Sequence, residues 1–353
     1  MNGTVILILV TSIIASFATE KAAKKIMVES SDNNEELLTS SEITNERILL
    51  PISSTDHLER LLEFSIFIKD KKSTLPISIL RVVSNNQEAE VNILKARTKL
   101  NEFIKQGSAM DTKVEIITTI EHNMASGVAR VSRETMSDLL VLEWPEKRGL
   151  LEMLIGNKIE NILNITDKTT FIGGFSRPLA NHKRMVIIAP PLVEHENGFE
   201  EWVTKISQLA QELSVKIVFY GTKACEEHLV KVCEQRKIAT KIFTFIPFEQ
   251  NAWDDFFLIS RDIKAEDLLV LISARRGDLS YFNFLEHLPT KLETYFPENN
   301  RMIVYPKQFE HDHKMDRFDD MNAEPIHKSL ETIHKLQKGL GNIFGGQSGK
   351  AEK

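Results

Sequence analysis

Two short aliphatic runs constrain this chain more than any other feature. Asn45-Glu46-Arg47-Ile48-Leu49-Leu50-Pro51-Ile52-Ser53 and Lys183-Arg184-Met185-Val186-Ile187-Ile188-Ala189-Pro190-Pro191 share one plan: a basic residue, aliphatic side chains, then proline and small residues. Neither alternates polar with apolar. Strands of this kind are buried on both faces, as in parallel sheets covered by helices. Each run leads into a helical pattern, and the two lie one ordinary domain length apart. The sequence therefore predicts two similar α/β domains with parallel sheets, at 46–175 and 183–309.

A chain of 353 residues has room for two such cores. Its formal net charge of -6 offers no basic surface for a phosphate backbone, so nucleic acid is not an expected partner. Cys225 and Cys233 fall on one predicted helix, too far apart to be bridged, and fit a reducing compartment.

The first 20 residues read differently. No charged side chain interrupts the run up to Thr19, and as a helix it would be roughly 28 Å long, close to the thickness of a bilayer core. Lys21, Lys24 and Lys25 follow, which by the positive-inside rule places the remainder in the cytoplasm, beneath the inner membrane. The competing reading is a secretory leader cleaved near Ser16-Phe17-Ala18, against which no Lys or Arg precedes the apolar run. Small residues at Ser12 and Ser16 suit close packing against other membrane helices, so the segment looks like the last span of a larger membrane protein. Residues 21–45, rich in Ser, Asn and Glu, read as a solvated linker.

Within 46–175 the patterns predict strands at 47–52, 75–83, 113–120, 139–142 and 170–172, with helices at 56–69, 87–105, 125–136 and 150–163. Within 183–309 they predict strands at 185–189, 215–220, 240–246, 268–272 and 301–305, with helices at 199–213, 223–235 and 253–261. Tyr281, Phe282, Phe284 and Leu285 read as the core face of one more helix. Such alternation gives right-handed crossovers, and ligands then sit beyond the carboxyl ends of the strands at the topological switch point. The candidates there are Ser53 and the loop 143–149 in the first domain, and Arg275 and Arg276 in the second.

These residues also carry a resemblance. Ile48-Leu49-Leu50-Pro51-Ile52, Leu139-Leu140-Val141-Leu142 and Gly149-Leu150-Leu151…Ile155-Gly156-Asn157 resemble the universal stress protein domain. With the helix at 4–19 and Glu20-Lys21-Ala22-Ala23-Lys24-Lys25, the chain is similar to the cytosolic C-terminal region of a bacterial cation:proton (Na+/H+) antiporter. The resemblance implies tandem five-stranded parallel sheets of the adenine nucleotide alpha hydrolase-like kind, able to pair edge to edge within one chain or in a homodimer.

Nucleotide-binding members of that family carry an acid after the first strand and a Gly-x-x-Gly, nine residues, then Gly-Ser or Gly-Thr. Here the acid position is Ser53, the leading glycines fall on Glu143 and Glu146, and Gly156 is followed by Asn157. Carboxylates where phosphates lie would repel them, so ATP or another adenine nucleotide is disfavoured and no cofactor is expected. Ser53, Gly149, Gly156, Asn157, Arg275 and Arg276 remain the candidate contacts for a small anionic ligand, with a plain helix cap as the alternative for Asn157 and local ion pairing or solvation for the arginines.

In the tail, 310–353, Glu310, His311, Asp312, His313, Asp316, Asp319 and Asp320 have no metal-ligand spacing, so no metal site is expected. A short helix is expected to open at Pro325. No nucleophile–base pair or intact phosphate loop appears, and an enzyme is not expected. The expected function is a membrane-tethered regulatory module for monovalent cation/proton transport, partnered by an antiporter's membrane domain. The alternative is a membrane-anchored nucleotide-binding stress sensor.

Overall fold

The computed structural model describes residues 19, 45–145, 158–247, 261–286 and 288–308. The expected span at 1–20, the linker, the helix at 253–261 save its last residue, and the tail lie outside those residues. Among the described residues no helix is long and apolar enough to cross a membrane. The described residues from 45 to 308 belong to one compact unit.

The first half runs β1 (Ile48–Ile52), α1 (Leu58–Ile68), β2 (Ile77–Ser84), α2 (Ala89–Ala109), β3 (Val114–Glu121), α3 (Met124–Glu134), β4 (Leu139–Glu143), α4 (Lys158–Ile165) and β5 (Thr169–Gly174). The second runs β6 (Arg184–Ile188), α5 (Phe199–Glu212), β7 (Lys216–Gly221), α6 (Lys223–Gln235), β8 (Phe243–Pro247), β9 (Asp267–Ile272), α7 (Leu288–Tyr295) and β10 (Asn300–Tyr305).

The strands make one ten-stranded sheet, ordered β3-β2-β1-β4-β5-β10-β9-β6-β7-β8. All neighbours are parallel except β5 and β10, which pair antiparallel from Gly174↔Arg301 to Thr170↔Tyr305. The expectation of two separate parallel sheets is thus corrected to one mixed sheet. Without this pairing β5 and β10 would be exposed edges with unsatisfied backbone groups, and the pairing removes both.

Period-two alternation sorts the core. Ile48, Leu50 and Ile52 face a layer with Phe64 of α1, Phe103 of α2, Trp202 of α5 and Cys225 of α6. Leu49 faces the opposite layer, with Val128 of α3, Ile162 of α4 and Leu292 of α7. Each layer draws on both halves, so the core is shared across the seam. Phe64 packs edge-on to Phe171 at 5.6 Å between ring centroids. Each fully buried side chain of this size contributes about 2–3 kcal/mol.

Polar groups stitch the halves on the α1–α5 side. Lys205 of α5 is buried against Glu46 and donates to Ile68 O at 3.0 Å. Gln208 Nε2 donates to Phe67 O and Lys69 O at 2.8 and 2.7 Å. At the start of β10, Asn300 Nδ2 donates to Arg177 O at 2.8 Å and Asn300 Oδ1 accepts from Ser176 N–H at 2.9 Å.

Several helices end without the usual glycine. Met136, Ser214 and Lys237 take left-handed φ of 49°, 56° and 57° after α3, α5 and α6. The bonds Ser137 N–H to Ser132 O and Val215 N–H to Ala210 O, both 2.9 Å, close Schellman turns around the first two. One helix differs from expectation. Asn283–Leu285 is a short 3-10 turn and α7 begins at Leu288. Pro289 has no N–H and fits only the first turn of a helix, so α7 cannot begin much earlier.

Candidate functional site

The carboxyl ends of β1, β2 and β3 open on a crevice of about 760 Å³. Its apolar floor includes Ile52, Val82 and Ala125, and its polar lining includes Ser53, Arg81, Ser84, Asn123, Ser126, Lys158, Asn161 and Asn164. The sheet supplies Ser53 and Arg81. The first turn of α3 supplies Asn123 and Ser126, and α4 supplies Lys158, Asn161 and Asn164.

Asn123 Oδ1 accepts the Ser126 N–H at 2.8 Å, which caps α3 and fixes its positive end at the crevice wall. The Arg81 guanidinium donates to Ser53 O, and to Ile52 O at 3.3 Å, tying the exit of β1 to β2. Ser53 Oγ–H points inward to Met124 Sδ at 3.4 Å. Glu121, the acid of the lining, is held by Arg130 at 2.8 Å. Arg130 also bonds Glu134 at 2.9 Å, and Glu134 and then Glu121 raise its pKa. With that acid neutralised, Arg81 and Lys158 leave a cationic, amide-rich crevice suited to a small polar anion.

Of the described residues singled out in the sequence, only Ser53 lines this crevice. Gly149, Gly156 and Asn157, like Glu146, lie outside the described residues. Glu143 sits at the end of β4, in register with Gly173 of β5. Asn161 and Asn164 share a helix face by their i, i+3 spacing, the one sequence signal that could have pointed to them. Arg81, Asn123 and Ser126 carry no motif.

The arginines singled out in the second half follow β9, the counterpart of β4 in the strand order. Arg275, after β9, is 5% exposed. Its guanidinium donates to Pro306 O, to Lys168 O at 2.6 Å and to Thr170 Oγ1 at 3.3 Å, and lies 5.9 Å from the centre of the Tyr305 ring. Arg276 pairs with Glu286 at 2.8 Å, whose carboxylate also accepts from Tyr281 Oη at 2.8 Å. Both arginines are thus engaged by protein groups, Arg276 in a surface ion pair and Arg275 in a bridge between the two halves.

Two acids border that arginine. The turn 275–281 places Arg275 N–H on Asp278 Oδ2 at 2.7 Å, and Gln308 Nε2 donates to Asp278 Oδ1 at 2.7 Å. Glu196 Oε1 accepts from Ser280 N–H at 2.8 Å and from Ser280 Oγ–H at 2.7 Å. Burial, and next the charge of Asp278, push Glu196 up to about 7. Burial raises Asp278 and Tyr305 as well, and draws Arg275 downward.

No family model matches the chain. Over 181 residues it is 24% identical to a Na(+)/H(+) antiporter, NhaS5, of Synechocystis. That match takes in 46% of this chain but 26% of the antiporter, so the chain aligns with about a quarter of its relative's length. Among solved structures, a universal stress protein from Archaeoglobus fulgidus superposes with a TM-score of 0.52 at 12% identity, covering 76% of this chain and 99% of its own. The cytoplasmic domain of a prokaryotic cation chloride cotransporter gives 0.47 at 14% identity, over 74% of this chain and 95% of its own. Identity this low establishes the fold alone. The chain is a partial relative of an antiporter and carries a universal-stress-protein-like α/β fold.

Proposed function

We propose that the chain is the cytosolic regulatory part of a cation:proton antiporter: two universal-stress-protein-like domains of five strands each, hung from a membrane span at residues 1–20, without catalytic activity. The observation that carries this reading is the antiporter similarity over nearly half of the chain. The sealed second-half loop and the cationic first-half crevice support a sensor more than an enzyme, because they offer one place for a ligand to bias a two-state module. No cofactor is required, and Glu143 at the exit of β4 disfavours a nucleotide phosphate there.

Cation/proton exchange in everted vesicles tests the reading. A transporter carrying this chain and one truncated before residue 46 are compared across pH and cation concentration with a pH-sensitive dye. A changed activation profile on truncation is expected; superimposable profiles would refute a regulatory role.

A second reading is favoured by Arg81 and Lys158 in the crevice: a membrane-anchored nucleotide sensor. Calorimetry with ATP, ADP, AMP and cyclic dinucleotides separates the two. Saturable micromolar binding of an adenine nucleotide would replace the cofactor-free reading.

A further inference from the structure

We propose that Glu196 binds a proton and thereby latches the loop 190–198 onto the turn 275–281, so that the seam between the two halves tightens on acidification. The inference stands on the described residues alone and goes beyond the transporter reading, since it holds whatever the chain is attached to.

The geometry sets two acids, Asp278 on the turn and Glu196 on the loop that faces it, near one buried cation. Asp278 has both oxygens engaged by donors, Arg275 N–H and Gln308 Nε2, and lies within the turn that Arg275 begins. Donors to both oxygens favour its charged form. Glu196 has two donors as well, but both fall on Oε1, from the single residue Ser280. Its Oε2 is the atom left to carry a proton. Arg275 can compensate one carboxylate of the pair, and a second negative charge in the same half-buried crevice is repelled by the first. The proton therefore goes to Glu196, whose titration near 7 places the event in the physiological range.

The neighbouring charges do not remove this conflict. From the entry to β5 come Asp167 and Lys168, paired with one another at 3.5 Å. From β10 and its exit come Tyr305, raised by burial, and Lys307, whose charge acts on Glu201. On its far side the same loop carries Glu194 and His195, which face His228 and Cys225 of α6. There burial raises Glu194, and burial and then Glu194 raise Cys225.

The latch has a mechanical path. Gly198 closes the loop so tightly against the exit of β10 that a Cβ would lie 2.3 Å from Lys307 N, so one end of the loop is fixed. The other side of the turn holds Arg275, which reaches across to Lys168 and Pro306. Loss of the Glu196 proton strengthens the two Ser280 bonds, but the repulsion it sets up with Asp278 outweighs them, strains the loop against the turn and loads the arginine clamp between the halves.

The sign follows from linkage. The folded state holds the proton more tightly than the unfolded chain, in which a glutamate titrates near its ordinary value. The stabilisation is complete below that value and is lost as pH rises through about 7. The full 353-residue chain in detergent is unfolded with urea between pH 5 and 8.5, as wild type, Glu196→Gln and Asp278→Asn. Relative to Glu196→Gln, the wild-type folding constant should fall by up to about tenfold per pH unit up to neutrality, and Asp278→Asn should move that fall to lower pH. Hydrogen exchange at 168–170 and 275–281 should quicken above pH 7 in wild type, after correction for intrinsic rates, but not in Glu196→Gln. An infrared titration of the wild type, which needs no folded variant, should show a protonated carboxyl lost between pH 6 and 8. Parallel stability profiles, unchanged exchange or the absence of that carboxyl would each overturn the proposal.

Discussion

The two halves of the sheet share one strand order, yet arginines near the carboxyl ends of their strands, Arg81 within β2 and Arg275 after β9, are used in opposite ways. In the first, Arg81 borders a crevice whose walls are serine and asparagine side chains from three elements. In the second, Arg275 is buried, bonded to a backbone carbonyl and a threonine hydroxyl of the other half and flanked by two acids. One half keeps a cavity for something outside the chain, and the other spends its charge on holding the chain together. A repeated fold fixes where a site can be but not whether it stays open.

Substitutions that exchange these roles test the contrast. Arg275→Met should destabilise the chain by about 3–5 kcal/mol in urea unfolding, since it leaves buried acids and carbonyls without their cation. Arg81→Met, at the open crevice, should stay within about 0.5 kcal/mol. Equal losses would dissolve the distinction. Lys205→Met should cost about 3 kcal/mol by stranding Glu46 at the α1–α5 seam. Asn123→Ala should cost about 1 kcal/mol through the lost cap of α3 and should also weaken binding of any anion found by calorimetry. The smallest effects concern backbone. Met136→Gly, in the first half, should gain about 1 kcal/mol in thermal unfolding by relieving a left-handed φ of 49°. Gly277→Ala, in the turn of the second half, should lose about as much at its φ of 91°.

Strands were legible because burial on both faces leaves unbroken aliphatic runs. All ten were anticipated, with ends shifted by a few residues where a 3-10 turn at Thr240–Ile242 precedes β8. Their assembly into one sheet was not legible in the strands themselves, because nothing within β5 or β10 distinguishes an antiparallel edge from a parallel one. The crevice was legible only at Ser53. Its other polar groups sit on separate elements and are common surface types. The role of Arg275 was hidden for a similar reason, since its partner Lys168 O lies 107 residues away and is a carbonyl that any residue would supply. Aromatic clustering at Tyr281–Leu285 suggested helix, but Pro289 moved the helix onward.

The antiparallel join of β5 and β10 has a geometric consequence for signalling. Strands on either side of it run in opposite senses, so the carboxyl edges of the two halves open on opposite rims of one sheet. At about 4.8 Å between strands, its outer strands, β3 and β8, lie some 40 Å apart. The crevice and Glu196 therefore lie on opposite rims of the same sheet, so a change at one is separated from the other by the width of the sheet.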